Sequence, residues 1–238
     1  MSDGEQELPG FFGKLPMLGD FVTRRLPSSV IGPLNDWLEA GIMDSRRMLG
    51  QGWLDAFLVS PAWHLALEAG ICGPTGLCGV LVPSVDSVGR YYPLALLAPL
   101  PAGAPLLAWA EANGNWYRRA EAALMTALQD DLDAEGFDAR VRAVGVPLDT
   151  LPAEMPGLPG RVAAMLGEAQ LRPDSGPLGL GWTQAGGSSP TLIAFTAMPT
   201  GAAFTSMLNG RWEDTETAGL CVISLAGGPF AMPADTHR

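Results

Sequence analysis

The sequence predicts an α/β fold: a three-layer α/β/α sandwich around a mixed sheet. Short continuous apolar runs, such as Gly79-Val80-Leu81-Val82 and Leu94–Ala98, are what strands buried on both faces look like. They alternate with amphipathic stretches long enough to cover a sheet on each side. The connections around 83–94 and 184–190 read as hairpins, so part of the sheet pairs antiparallel.

Taken in order, Phe11–Leu15 reads as a first strand, Pro16–Gly19 as a turn, and the residues after it as a lead into a helix. Ser28 or Ser29 is placed to cap a helix over 30–49, with Leu34, Leu38 and Ile42 on one face and Gly50 past its end. Trp53–Val59 is a second short helical stretch, stopped before Pro61. Strands are expected at Ala62–Leu67, Gly79–Val82 and Leu94–Ala98. One long amphipathic helix is expected over Pro105–Asp131. Asp130, Asp131 and Asp133 at its end oppose the helix dipole and should fray it. Residues 144–160 carry four prolines and three glycines, which marks a loop or linker. Beyond it, Arg161–Leu171 reads as helix. Leu178–Thr183 and Thr191–Ala197 read as strands around a Gly186–Ser189 turn. Thr200 caps a short helix ending at Asn209-Gly210, and Leu220–Leu225 is a last strand. The expectation is one domain over 8–233, with 144–160 leaving room for two subregions, 8–143 and 161–226.

Composition narrows the function classes. A chain with 47% hydrophobic and 16% charged residues can fill a core and has too little charge for disorder. A net charge of −11 and a pI near 4.5 repel phosphate backbones and anionic lipid, so no nucleic-acid partner is expected. The acidic, polar start has no signal-peptide pattern, and no window is long and apolar enough to span a bilayer. The expectation is a cytoplasmic protein with no membrane insertion. Cys72, Cys78 and Cys221 fit no zinc spacing and read as small buried hydrophobes. Lys14 is the only lysine, hence the only side-chain amine.

The sequence lacks the usual catalytic patterns. Gly13-Lys14 is not a phosphate loop, because Leu8 and Leu15 stand where that motif needs Gly and Ser or Thr. Ser84 and Ser87 in PSVDSVG lack the G-x-S-x-G elbow. His64 lies in an apolar run and reads as a core residue, and His237 is in the tail, so no histidine cluster can hold a metal. Asp20 and Asp86 are candidates for a carboxylate dyad. The simpler reading pairs each with the arginine four residues on, Arg24 and Arg90. No catalytic residue, cofactor or metal is expected.

Two stretches stand out: Gly10–Pro27, containing GKLPMLGDFVTRRLP, and PSVDSVGRYYPL at Pro83–Leu94. Together they closely resemble the signature of the TagF (ImpM) family, accessory proteins of the bacterial type VI secretion system. The resemblance extends over about residues 8–213. GWTQAG and FTSMLNGRW match more loosely, and Gly181-Trp182 stands where a tryptophan pair often occurs. It implies a regulator and not an enzyme. Such a protein restrains secretion after translation by binding the FHA-domain scaffold protein in the cytoplasm, without threonine phosphorylation. Some relatives are fused to a PP2C-type phosphatase. The alternatives are a carboxylate-dependent hydrolase using Asp20 or Asp86, and a structural component of the apparatus.

The candidates for partner contact are Lys14, Asp20, Phe21, Arg24, Asp86, Arg90 and Tyr91, with aromatic anchors beside charge-assisted donors. Gly13, Pro16, Gly19, Pro83, Gly89 and Pro93 are expected to set backbone conformation.

Overall fold

Among the described residues, eight strands form the sheet: β1 (Gly10–Lys14), β2 (Phe21–Arg24), β3 (Trp63–Leu67), β4 (Leu77–Val82), β5 (Leu94–Pro99), β6 (Gly179–Trp182), β7 (Thr191–Phe195) and β8 (Leu220–Ser224). The helices among those residues are α1 (Ser28–Leu49), α2 (Trp53–Leu58), α3 (Leu106–Ala112), α4 (Gly114–Gln129), α5 (Ala134–Val144) and α6 (Gly201–Asn209). The computed structural model describes residues 8–149, 176–183, 190–213, 215 and 219–224. The expected helix at 161–171, the 186–189 turn and most of the 144–160 segment lie outside these residues.

The strand order is β2-β1-β5-β4-β3-β6-β7-β8, and every pairing is antiparallel. The mixed sheet expected from the sequence is therefore corrected. Apolar continuity reports burial on two faces, and an antiparallel sheet covered on both sides shows the same pattern as a parallel one. In β4, Cys78, Val80 and Val82 pack with Trp109, Trp116, Tyr117, Leu124 and Phe137. Their neighbours Leu77 and Leu81 pack with Leu34, Trp37, Leu38, Trp53 and Phe204. The alternation follows the two-residue period of a strand.

Three further expectations changed. Phe21–Arg24 is an edge strand and not a helix lead-in; only Val22 of its four side chains is buried. The long helix is split at Asn113, whose backbone has φ −93° and ψ 11°. The buried Asn113 side chain donates to Trp109 O at 3.0 Å and accepts from Leu148 N at 2.7 Å. An amide that satisfies backbone groups in this way competes with helix continuation. Beyond Gln129 the chain starts a new helix, α5, capped by Asp133, whose carboxylate accepts from Gly136 N at 2.8 Å. The aspartates that oppose the dipole of α4 lie at the N-terminal end of α5, where Asp is favoured. Helix α1 begins at Ser28 after Pro27, with no side-chain cap.

Helix α1 is held where the site needs it. The Trp37 indole donates to Pro199 O at 2.6 Å and meets the Phe204 ring edge-on at 5.5 Å. Trp53 at the start of α2 donates to Ser45 Oγ at 2.9 Å and stacks on Phe57 at 4.9 Å.

Candidate protein-binding site

The two stretches singled out in the sequence are joined in space. Strand β1 lies between β2 and β5, which brings the first stretch against the loop running from β4 to β5. Gly13 makes this approach close: its φ is +140°, and a Cβ there would sit 2.2 Å from Pro93 O. Only glycine fits such a position. In the turn after β1, Leu18 N donates to Leu15 O at 3.0 Å with Pro16 at the second position, where its fixed φ is favourable.

Lys14 points into the protein, 4% exposed, and donates to Asp86 Oδ2 at 2.6 Å. Arg90 Nε donates to the same oxygen at 2.7 Å, while Asp86 Oδ1 accepts from Val88 N at 3.1 Å and Arg90 N at 2.8 Å. Burial alone would raise the Asp86 pKa. The hydrogen bonds from Lys14, from the Arg90 backbone and side chain and from Val88 outweigh it and hold the carboxyl well below the ordinary range. Gly89, at φ +83°, closes the turn and donates to Asp86 O at 3.0 Å. Three more contacts lock the loop to the first stretch. Ser84 Oγ donates to Lys14 O at 2.7 Å, Ser87 N donates to Leu18 O at 3.1 Å, and the Arg90 guanidinium donates to Gly19 O. Pro83 and Pro93 flank the loop just outside β4 and β5.

An aromatic cluster underlies this assembly and reaches its surface at Phe21. Phe21, 46% exposed, stacks on Phe12 at 5.5 Å and meets Tyr92 edge-on at 4.7 Å. The Lys14 ammonium lies 4.4 Å from the Phe21 ring centroid. Tyr91 packs against Trp53 and Phe57 at 6.1 Å each. Between this loop and α1 opens a cleft of ≈ 490 Å³, lined by Glu39, Ile42, Met43 and Arg46 of α1 and by Gly89–Tyr92. Tyr92 Oη donates to Asn35 Oδ1 at 2.9 Å. Burial first, then the charges of Glu39 and Asp36, push its hydroxyl above the ordinary tyrosine range.

The sequence candidates thus separate. Lys14 and Asp86 are buried and paired with each other, so they shape the loop and present no surface to a partner. Phe21, Arg90 and Tyr91 reach the surface around the cleft, and Asp20 is exposed on the turn beside it. Arg24 lies three positions from Phe21, on the opposite face of β2, and pairs with Glu135 of α5 at 2.9 Å instead of with Asp20. The Asp86–Arg90 pair forms as read from the sequence. Sequence reasoning missed Met43 and Arg46. A signal was present for Met43 alone, which directly follows Ile42 and stands out of phase with the apolar stripe of α1.

His64 is fully buried on β3, with Nε2 2.7 Å from Glu121 Oε2 and its ring near Tyr117 and Trp182. Among the described residues no group of three His, Cys, Asp or Glu side chains could hold a metal ion, and no helix is long and apolar enough to cross a membrane. Cys72 and Cys78 are buried and Cys221 half-buried, all as free thiols.

The chain is similar to known proteins. Residues 10–144 match the family model described as the TagF N-terminal domain, type VI secretion system-associated. Both stretches and α1 fall inside that match. The crystal structure of PA0076 from Pseudomonas aeruginosa PAO1 is similar, with 32% sequence identity and a TM-score of 0.71, covering 88% of this chain and 97% of that one. No curated protein matched the sequence.

Proposed function

Because the chain belongs to the type VI secretion-associated family of the TagF N-terminal domain, we propose that it is a post-translational negative regulator of that secretion system. It acts in the cytoplasm, by binding the system's FHA-domain scaffold protein and not by catalysis. One observation carries this reading: the exposed Phe21 ring of β2, the half-buried Tyr91 and the guanidinium groups of Arg46 and Arg90 stand around an open cleft beside a loop locked by hydrogen bonds. The Asp86 carboxylate accepts four hydrogen bonds from Lys14, Val88 and Arg90. A carboxylate so engaged, and charged far below neutral pH, is suited to structure and not to proton transfer. A surface ordered before contact loses little entropy on binding. The two buried clusters support a three-layer α/β/α reading, and the β3–β6 pairing supports a single domain.

The test has two parts. Deleting the chain from its host should raise secretion of the system's tube protein, and the purified chain should retain the FHA-domain protein in a pull-down. Unchanged secretion refutes regulation; a pull-down that recovers no FHA-domain protein refutes the partner.

A further inference from the structure

We propose that the cleft between α1 and the Asp86–Tyr92 loop takes a short extended segment of the partner, carrying an apolar side chain next to a carboxylate. This rests on the reading that the chain works by binding another protein, and it names the chemistry of what is bound.

The apolar part follows from the walls. Ile42, Met43, Tyr91 and Tyr92 line the cleft, and Met43 is 69% exposed. Phe21 touches Tyr92 and continues the same surface. A flexible thioether beside rigid aromatic rings adapts to an inserted side chain.

The carboxylate follows from the charges. The chain carries −11 overall, yet two arginines, Arg46 and Arg90, line this one cleft. The Arg46 guanidinium lies 4.1 Å from the centroid of the Trp53 ring and makes no ion pair among the described residues. A guanidinium laid on an indole is oriented in advance and keeps its donor fork for a carboxylate. Arg90 has committed Nε to Asp86 and one terminal nitrogen to Gly19 O, which leaves its other terminal nitrogen unpaired among the described residues.

The end of the cleft that takes the acid follows from Glu39, the acid among the lining residues. It repels a carboxylate at its own end, so the ligand's acid lies at the Arg46 end. Arg46 lies seven positions after Glu39 on the helix, a rise of about 10 Å, which an extended segment covers in about three residues.

Two binding experiments test this, using the whole 238-residue chain. In the first, the probes are the acetylated, amidated peptide Ala-Leu-Phe-Asp-Ala and the same peptide with Lys for Asp, titrated against tryptophan fluorescence. Wild type should bind the Asp peptide at least tenfold more tightly, Arg46→Glu should reverse the preference, and Met43→Asp should weaken the Asp peptide at least tenfold. Met125→Glu, on α4 beyond the opposite face of the sheet, should behave as wild type. All three side chains are at the surface, and thermal melts confirm that each variant is folded. Equal affinity for the two peptides, or a preference unchanged in Arg46→Glu, overturns the proposal.

In the second, the same variants meet the FHA-domain protein. A tenfold loss in Arg46→Glu and Met43→Asp, with Met125→Glu unaffected, supports the cleft as its seat. Undiminished binding by both variants overturns the cleft as its seat but leaves the partner intact. If wild type does not bind the FHA-domain protein, the partner assignment fails, and the peptide titration alone decides the cleft.

Discussion

Gly13→Ala should destabilise the protein far more than Gly19→Ala, although both glycines lie in one short stretch. At Gly13 a new Cβ would stand 2.2 Å from Pro93 O and 2.8 Å from Leu94 Cα, both backbone atoms. Neither can retreat without opening the β1–β5 pairing at Gly13↔Leu94. The backbone also sits at φ +140°. Forcing an L side chain into such a region costs about 1–3 kcal/mol, and overpacking a tight site adds about 1–3 kcal/mol. A loss of about 4 kcal/mol is expected. With a urea dependence of about 3 kcal/mol per molar, the unfolding midpoint falls by about 1.3 M. At Gly19 the nearest atom to a new Cβ is Ser87 Oγ at 3.7 Å, an ordinary contact. That change should stay within about 0.5 kcal/mol, or about 0.2 M. Equilibrium urea unfolding followed by tryptophan fluorescence measures both. A Gly13→Ala midpoint at the wild-type value, or a Gly19→Ala loss of equal size, refutes the close-approach argument.

Three further outcomes are expected. The Asp86 pKa is depressed in the folded state, so its stabilising contribution is complete above the unfolded value, about 3.9. It declines as pH falls below that and is gone once the folded group protonates. The melting-temperature gap between wild type and Asp86→Asn should therefore be constant from pH 7 to pH 5 and shrink only in stronger acid; a gap closing near pH 6 contradicts this. Lys14, being buried and paired, should resist an amine-reactive ester in the native protein and react once urea is added, as read by peptide mass spectrometry. Rapid native labelling would place it at the surface. Asn113→Ala removes both hydrogen bonds of a buried amide and leaves Leu148 N without that acceptor, which should cost about 2 kcal/mol and lower the melting temperature by about 6 °C; calorimetry showing no shift would refute the role given to that amide.

What could be read from the sequence depended on whether the signal was local. Helix α1 was legible because Leu34, Leu38 and Ile42 repeat at helical spacing and Gly50 follows its end. The Asp86–Arg90 turn was legible because both partners lie in one loop. Strand direction was not, since the residues of β4 are apolar whichever way β5 runs. The break at Asn113 was hidden because the backbone group that competes for its side chain, Leu148 N, comes from another part of the chain. Strand β2 was hidden because only Val22 is buried, which leaves no alternation to detect. Among the site residues, Lys14 and Asp86 carried the right charges for contact, but 72 residues separate them, and their mutual burial is a tertiary fact. Arg46 was passed over because an exposed arginine on a helix has no local mark that separates it from any other.

That separation also bears on when the surface comes to exist. Strand β1 has no site to offer until β5 arrives beside it, because Lys14, Ser84 and Asp86 lock together only then. At a synthesis rate of about 5–20 residues per second, the ribosome makes Asp86 about 4–14 s after Lys14. During that interval the phenylalanines of the first stretch are in a chain that cannot yet present the cleft. A partner that recognises the finished surface therefore ignores chains that end before this loop, and reads the closing of β5 onto β1 as a condition for binding.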